Sequence, residues 1–108
     1  MSWKITYFNA LVQSEILAMP VGFVARYLRY AERMEQFGPD LGMPHTRAMG
    51  QGLFELRIKA AEGLARVFYC TAVGRRIVVL HQFIKKSEKT PRKELDIALR
   101  RMKEVINA

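Results

Sequence analysis

One cysteine, Cys70, occurs in a chain of 108 residues. No internal disulfide can form, and no cluster of thiolates can hold a metal. Cys70 sits mid-strand among apolar neighbours, the setting of a small core residue rather than a nucleophile. Histidine is nearly as scarce, with His45 and His81 alone. Neither belongs to a carboxylate-histidine cluster, so the reading includes no metal and no cofactor. Long apolar runs are missing too: nothing approaches transmembrane length, and MSWKITYFNA lacks the apolar core of a signal peptide. A cytoplasmic chain with no membrane partner is expected. Acidic residues are few, 10 against 18 Lys and Arg, for a net charge of +8.

What is present has an ordinary globular balance, 50% apolar and 26% charged, and the length suits one domain over residues 1–108. The charge is unevenly spread. Residues 1–52 hold five Lys/Arg against four Asp/Glu, whereas residues 53–108 hold thirteen against six. A basic half joined to a near-neutral half suggests one face built for a polyanion. The competing reading is a solvated basic surface without a partner.

The pattern along the chain predicts an α/β (α+β) domain. Trp3 to Phe8 is aromatic and β-branched and reads as a first strand. Asn9 caps a short helix to about Met19, and Pro20 suits the first turn of a second one. From Val21 to Phe37, Val24, Leu28, Ala31 and Met34 follow helical spacing. Residues 38–52 hold Gly38, Pro39, Gly42, Pro44, Gly50 and Gly52 and read as a long loop carrying His45, Thr46 and Arg47. The run from Leu53 to Pro91 reads as three short strands joined by two tight turns, with a Lys-Lys pair after the third. Thr90-Pro91 then opens a final helix, with an apolar stripe of Leu95, Ala98, Leu99, Met102, Val105 and Ile106. The expected order is β-α-α-β-β-β-α: an antiparallel sheet with an N-terminal helical hairpin on one face and a C-terminal helix.

Turn lengths set the strand pairing. A turn over Ala60 to Gly63 places Lys59 opposite Leu64 and Arg57 opposite Arg66. A two-residue turn at Gly74-Arg75 pairs Val73 with Arg76, Arg66 with Phe83 and Phe68 with His81. Alternation then gives a core face of Phe54, Leu56, Ile58, Val67, Tyr69, Val78 and Leu80. The other face carries Glu55, Arg57, Lys59, Arg66, Phe68, His81 and Phe83. Like charges directly across a strand pair repel, so Arg57 beside Arg66 makes sense where an anion lies over both.

Arginine suits phosphate because its planar fork bonds two oxygens at once. Phe68 and Phe83 are candidate stacking surfaces for bases, and core packing is the competing reading for both. Lys59, Lys85, Lys86 and Lys89 are placed to track a nucleic-acid backbone. Glu55 has a plainer reading as an ion-pair partner that neutralises an arginine. His81 is a candidate for proton transfer because imidazole titrates near neutrality, with a structural role as the alternative. His45 is a candidate of the same kind, favoured slightly by its place in the loop.

The sequence LFELR, then RVFY, then a hydrophobic strand ending in LH-x-F-x-KK, then KTP before a helix, resembles the RelE/ParE toxin superfamily. Its HigB-like and phage-derived RelE-like branch is the nearest, and the resemblance covers nearly the whole chain. It implies a curved antiparallel sheet and a type II toxin neutralised by a cognate antitoxin, commonly one with a helix-turn-helix domain. It further implies a ribosome-dependent endoribonuclease that cuts messenger RNA through attack of the RNA 2′-hydroxyl on the adjacent phosphate. By position, Arg57, Arg66 and the Lys85-Lys86 pair match the family's basic residues. The chain departs from the pattern at Glu55, acidic where nuclease members are basic, and after Lys86, where no tyrosine follows. Two other readings stand beside this one: a ParE-like toxin acting on DNA gyrase, and a degenerate toxin that serves mainly as an antitoxin partner.

Overall fold

The computed structural model describes residues 2–72, 74–86 and 89–108. It is a mixed α+β structure, ordered β1 (Lys4–Tyr7), α1 (Ala10–Leu17), α2 (Val21–Phe37), β2 (Thr46–Gly50), β3 (Leu53–Ala60), β4 (Gly63–Ala72), β5 (Arg76–Lys85) and α3 (Arg92–Ile106). The five strands form one sheet in the order β1-β5-β4-β3-β2. All neighbours run antiparallel except β1, which pairs parallel to β5.

One strand was not expected. β2 lies inside the segment read as a loop, antiparallel to β3 with Arg47 opposite Glu55. Gly50 and Gly52 break no strand: at φ 94° and 88° they form the turn that joins β2 to β3, a conformation glycine adopts without steric cost. The preceding loop is tied down by Thr46, which is buried. Its Oγ1 accepts from Gly42 N at 2.9 Å and donates to Asp40 Oδ1 at 3.3 Å.

The helical hairpin behaves as its caps dictate. Asn9 Oδ1 accepts from Val12 N at 2.9 Å and starts α1, as an N-cap side chain does. In α2 the buried positions are Phe23, Tyr27 and Met34, while Leu28 is 52% exposed. Of the expected stripe, Met34 is buried and Ala31 packs against the core. Phe23 and Tyr27 take the places expected of Val24 and Leu28, because aromatic side chains bury more apolar area than the aliphatics beside them. Tyr27 keeps its hydroxyl satisfied through Tyr7, at 2.6 Å.

Two cores result. Between the hairpin and the sheet lie Val12, Ile16, Phe23 and Tyr27 with Leu56, Ile58, Ala65, Val67, Tyr69, Ile77 and Val79. Beneath α3, Ala98 and Met102 cover Leu53, Phe68, Cys70, Val78 and Leu80. The assignment of Val78 and Leu80 to the hairpin side is thus corrected. A bulge shifts the register between Phe68 and Tyr69, which pair with His81 and Val79. Leu80 is the extra residue, and alternation inverts beyond it. Its carbonyl accepts a hydrogen bond from Arg101 Nη1 of α3 at 2.7 Å. On the far side of the bulge Cys70 pairs with Val78 and Ala72 with Arg76; Val73, expected opposite Arg76, lies outside the described residues. Burial pushes the Cys70 thiol up to about 11, so the group behaves as core.

Candidate functional site

Toward the β3–β4 turn the register is as expected. Arg57 stands opposite Arg66, and Lys59 opposite Leu64. Across β4, Arg66 stands opposite Phe83, Phe68 opposite His81 and Leu64 opposite Lys85. The α3 side of the sheet therefore carries three rows: Lys59-Leu64-Lys85, Arg57-Arg66-Phe83 and Glu55-Phe68-His81. This alignment brings Arg57, Lys59, Arg66, His81, Phe83 and Lys85 onto one face, and β2 extends the third row with Arg47.

Arg66 is the least exposed cation described, at 3%. Its Nε lies 3.7 Å from Glu55 Oε2, beyond hydrogen-bond range. Nη1 donates to its neighbour's carbonyl, Ala65 O, at 3.1 Å, and the buried Nε makes no hydrogen bond. Burial lowers the Arg66 pKa first of all; Glu55 opposes the shift and Arg57 adds to it. The plain reading of Glu55 as an ion-pair partner thus holds, although it satisfies Arg66 only in part. Arg57 is half-buried, with Nη1 against the Met43 sulfur at 3.9 Å.

Thr90 has a different duty from the expected one. The α3 N-cap is Pro91, without a side-chain cap bond, and Thr90 Oγ1 instead donates to Glu55 Oε2 at 3.2 Å. A second tie to α3 lies nearby, where His81 Nε2 meets Glu94 Oε1 at 2.7 Å. The start of α3 is thereby fixed to the sheet at the edge of the basic rows. Sequence reasoning missed Glu94 and Thr90 as neighbours of this face; their only signal was their place beside Pro91.

Phe68 is corrected as a stacking surface. It is wholly buried under α3, with its ring 5.9 Å from that of Phe83. Phe83 is half-buried and stands 6.3 Å from His81. Lys59, Lys86 and Lys89 are exposed. Among the described residues, no three of histidine, cysteine, aspartate and glutamate come together as a metal site requires.

At the β3 edge a cavity of about 500 Å³ is lined by Arg26, Tyr30, Pro44, His45, Arg57, Ile58, Lys59, Ala60, Leu64 and Arg66. Arg26 and Tyr30 come from α2, on the opposite side of the sheet from α3. Sequence reasoning placed His45 in a functional loop and gave Arg26 and Tyr30 no role.

The model of one protein family, described as phage derived protein Gp49-like (DUF891), matches residues 14–103. The match runs from within α1 into α3 and includes every strand of the sheet but β1. No curated protein matches the chain. No helix among the described residues is long and apolar enough to cross a membrane.

Proposed function

The chain belongs to the phage-derived Gp49-like family, a family of RelE-like toxins, and on that premise we propose that it is a ribosome-dependent endoribonuclease that cuts messenger RNA. It would be the toxin of a type II pair, on the HigB-like branch, held inactive in the cytoplasm by an antitoxin with a helix-turn-helix domain. The observation that carries this reading is the Arg57-Arg66 pair on one face, next to a buried guanidinium N–H that makes no hydrogen bond. Two cations side by side gain from a shared anion, and a phosphate supplies oxygens for both.

In the chemistry this implies, the RNA 2′-hydroxyl attacks the adjacent phosphorus in line. A bond forms to O2′, and the bond to the leaving O5′ breaks. One fragment ends in a 2′,3′-cyclic phosphate and the other in a 5′-hydroxyl. Arg57 and Arg66 offset the charge that builds on the non-bridging oxygens, an electrostatic term that is usually the largest in such sites. His81 moves the proton. With Nε2 held by Glu94, Nδ1 is the ring nitrogen left for exchange, and the carboxylate sets the tautomer. Lys59, Lys85, Lys86 and Lys89 hold the RNA backbone beside the rows, and Phe83 offers the aromatic surface that Phe68 does not.

Glu55 supports a second reading. A carboxylate near Arg66 within a buried pair suits a toxin of the gyrase-inhibiting kind, in which these arginines are structural. Mapping of RNA ends after induction separates the two: new cuts in translated messages support the nuclease, and DNA damage with intact messages supports the other.

A further inference from the structure

The antiparallel ladder between β2 and β3 stops short. Its last paired residues are Thr46 and Leu56, followed by a single bond from Arg57 N to His45 O at 2.8 Å. The His45 N–H turns away to Gly42 O at 3.0 Å. Ile58, Lys59 and Ala60 thus form an edge that β2 does not cover, and the 500 Å³ cavity opens there. Four cations line it, Arg26, Arg57, Lys59 and Arg66, and no carboxylate among the described residues does. The carboxylate at the adjoining turn is engaged elsewhere, since Glu62 Oε2 accepts from Gly22 N at 2.9 Å. Two rings complete the lining: Tyr30 and His45, with centroids 5.2 Å apart and planes at 41°. They are already in contact, so a third ring stacks on an outer face of the pair.

We propose that this cavity is a nucleotide subsite, which takes the base next to the phosphate held by Arg57 and Arg66 and stacks it on the Tyr30-His45 pair, with Arg26 on the adjoining phosphate. This rests on the ribonuclease reading only for its consequence, that the subsite selects where RNA is cut. The cavity volume is in the range of small-ligand sites. Cations combined with aromatic rings are the pairing that single-stranded nucleic acid requires. A peptide strand added to the open edge is the rival occupant; it would use the β3 backbone and leave the cations and rings without a task.

The test is fluorescence anisotropy with a short labelled single-stranded oligonucleotide of 2′-O-methyl ribonucleotides, which lacks the attacking hydroxyl and is bound without being cut. Arg26→Ala and Tyr30→Leu each weaken binding by roughly tenfold. Tyr30→Trp, which keeps a ring, retains it. Arg29→Ala removes the same charge from α2 outside the cavity and changes affinity by less than about twofold. Mapped in cells, Tyr30→Leu moves the cut positions. Unchanged binding in both Arg26→Ala and Tyr30→Leu, alongside weakened binding in Arg57→Ala, overturns the subsite and leaves the edge to a peptide strand. Binding that depends on Arg26 and Tyr30 in a protein that cuts no RNA keeps the subsite and removes the nuclease reading. No binding by the unmodified protein overturns the subsite, and cuts still mapped in cells would then leave the nuclease reading in place.

Discussion

Arg66 Nε stands 3.7 Å from Glu55 Oε2, and that same oxygen accepts the Thr90 hydroxyl at 3.2 Å. The two charged side chains are 4% and 3% exposed, so solvent screens their interaction little. Removing one partner of a buried pair leaves an uncompensated charge, at about 3 kcal/mol or more. Glu55→Gln therefore costs about 3 kcal/mol of stability, read as a lower urea midpoint. Glu55→Gln combined with Arg66→Met recovers most of the loss. Added phosphate raises the midpoint of Glu55→Gln more than that of the unmodified protein. Equal stability of Glu55→Gln and the unmodified protein contradicts the coupling.

Arg101 performs a similar service for the bulge. Its Nη1 donates to Leu80 O at 2.7 Å, and its guanidinium lies 5.1 Å from the centre of the Phe8 ring. Arg101→Met keeps the apolar stem and leaves that carbonyl without its donor, which costs about 1–3 kcal/mol. Urea denaturation measures the loss; an unchanged midpoint would mean the bulge is held by packing alone.

Alkaline pH weakens the fold. Burial raises Cys70 from its ordinary 9.0 to about 11 and holds Tyr27 and Tyr69 well above their ordinary 10.0. In the unfolded chain these groups release protons first, so the unfolded state binds fewer protons and stability falls as pH rises. The denaturation midpoint declines from about pH 9 upward, and Tyr27→Phe flattens the decline. A midpoint constant across that range contradicts the assignment.

Much of this architecture is legible in residues, and the exceptions have physical causes. Val21 to Phe37 is bounded as read because Pro20 starts the helix and Gly38 ends it. Arg57 meets Arg66 because a short turn at Ala61-Glu62 leaves no other pairing. The bulge at Leu80 has no local signal: Val78, Val79 and Leu80 are all good strand residues on either face, and only the bond to Arg101 shows which register prevails. β2 was hidden because Gly50 and Gly52 serve equally as loop breakers and as turn residues. Thr90-Pro91 has the form of a cap, yet a buried carboxylate across the sheet competes for the hydroxyl. At the site, the paired arginines were visible as a pattern. The cavity was not, since it depends on where α2 crosses the sheet edge.

His81 tests the chemistry apart from the binding. With Glu94 fixing one ring nitrogen, His81→Gln slows cutting of ribosome-bound message by roughly a hundredfold and leaves RNA binding intact. A purely structural His81 leaves the cutting rate of the folded variant unchanged and lowers only stability.

The most direct measurement of the central claim is RNA 5′-end mapping after induction in bacteria, comparing the unmodified protein with two variants. Arg57→Ala removes a cation for which no carboxylate partner is described. Glu55→Gln with Arg66→Met removes the other without stranding its counter-charge. The account predicts new 5′-hydroxyl ends inside translated messages with the unmodified protein, and none with either variant while both remain folded. Growth arrest with intact messages, or cuts that persist in both variants, would contradict it.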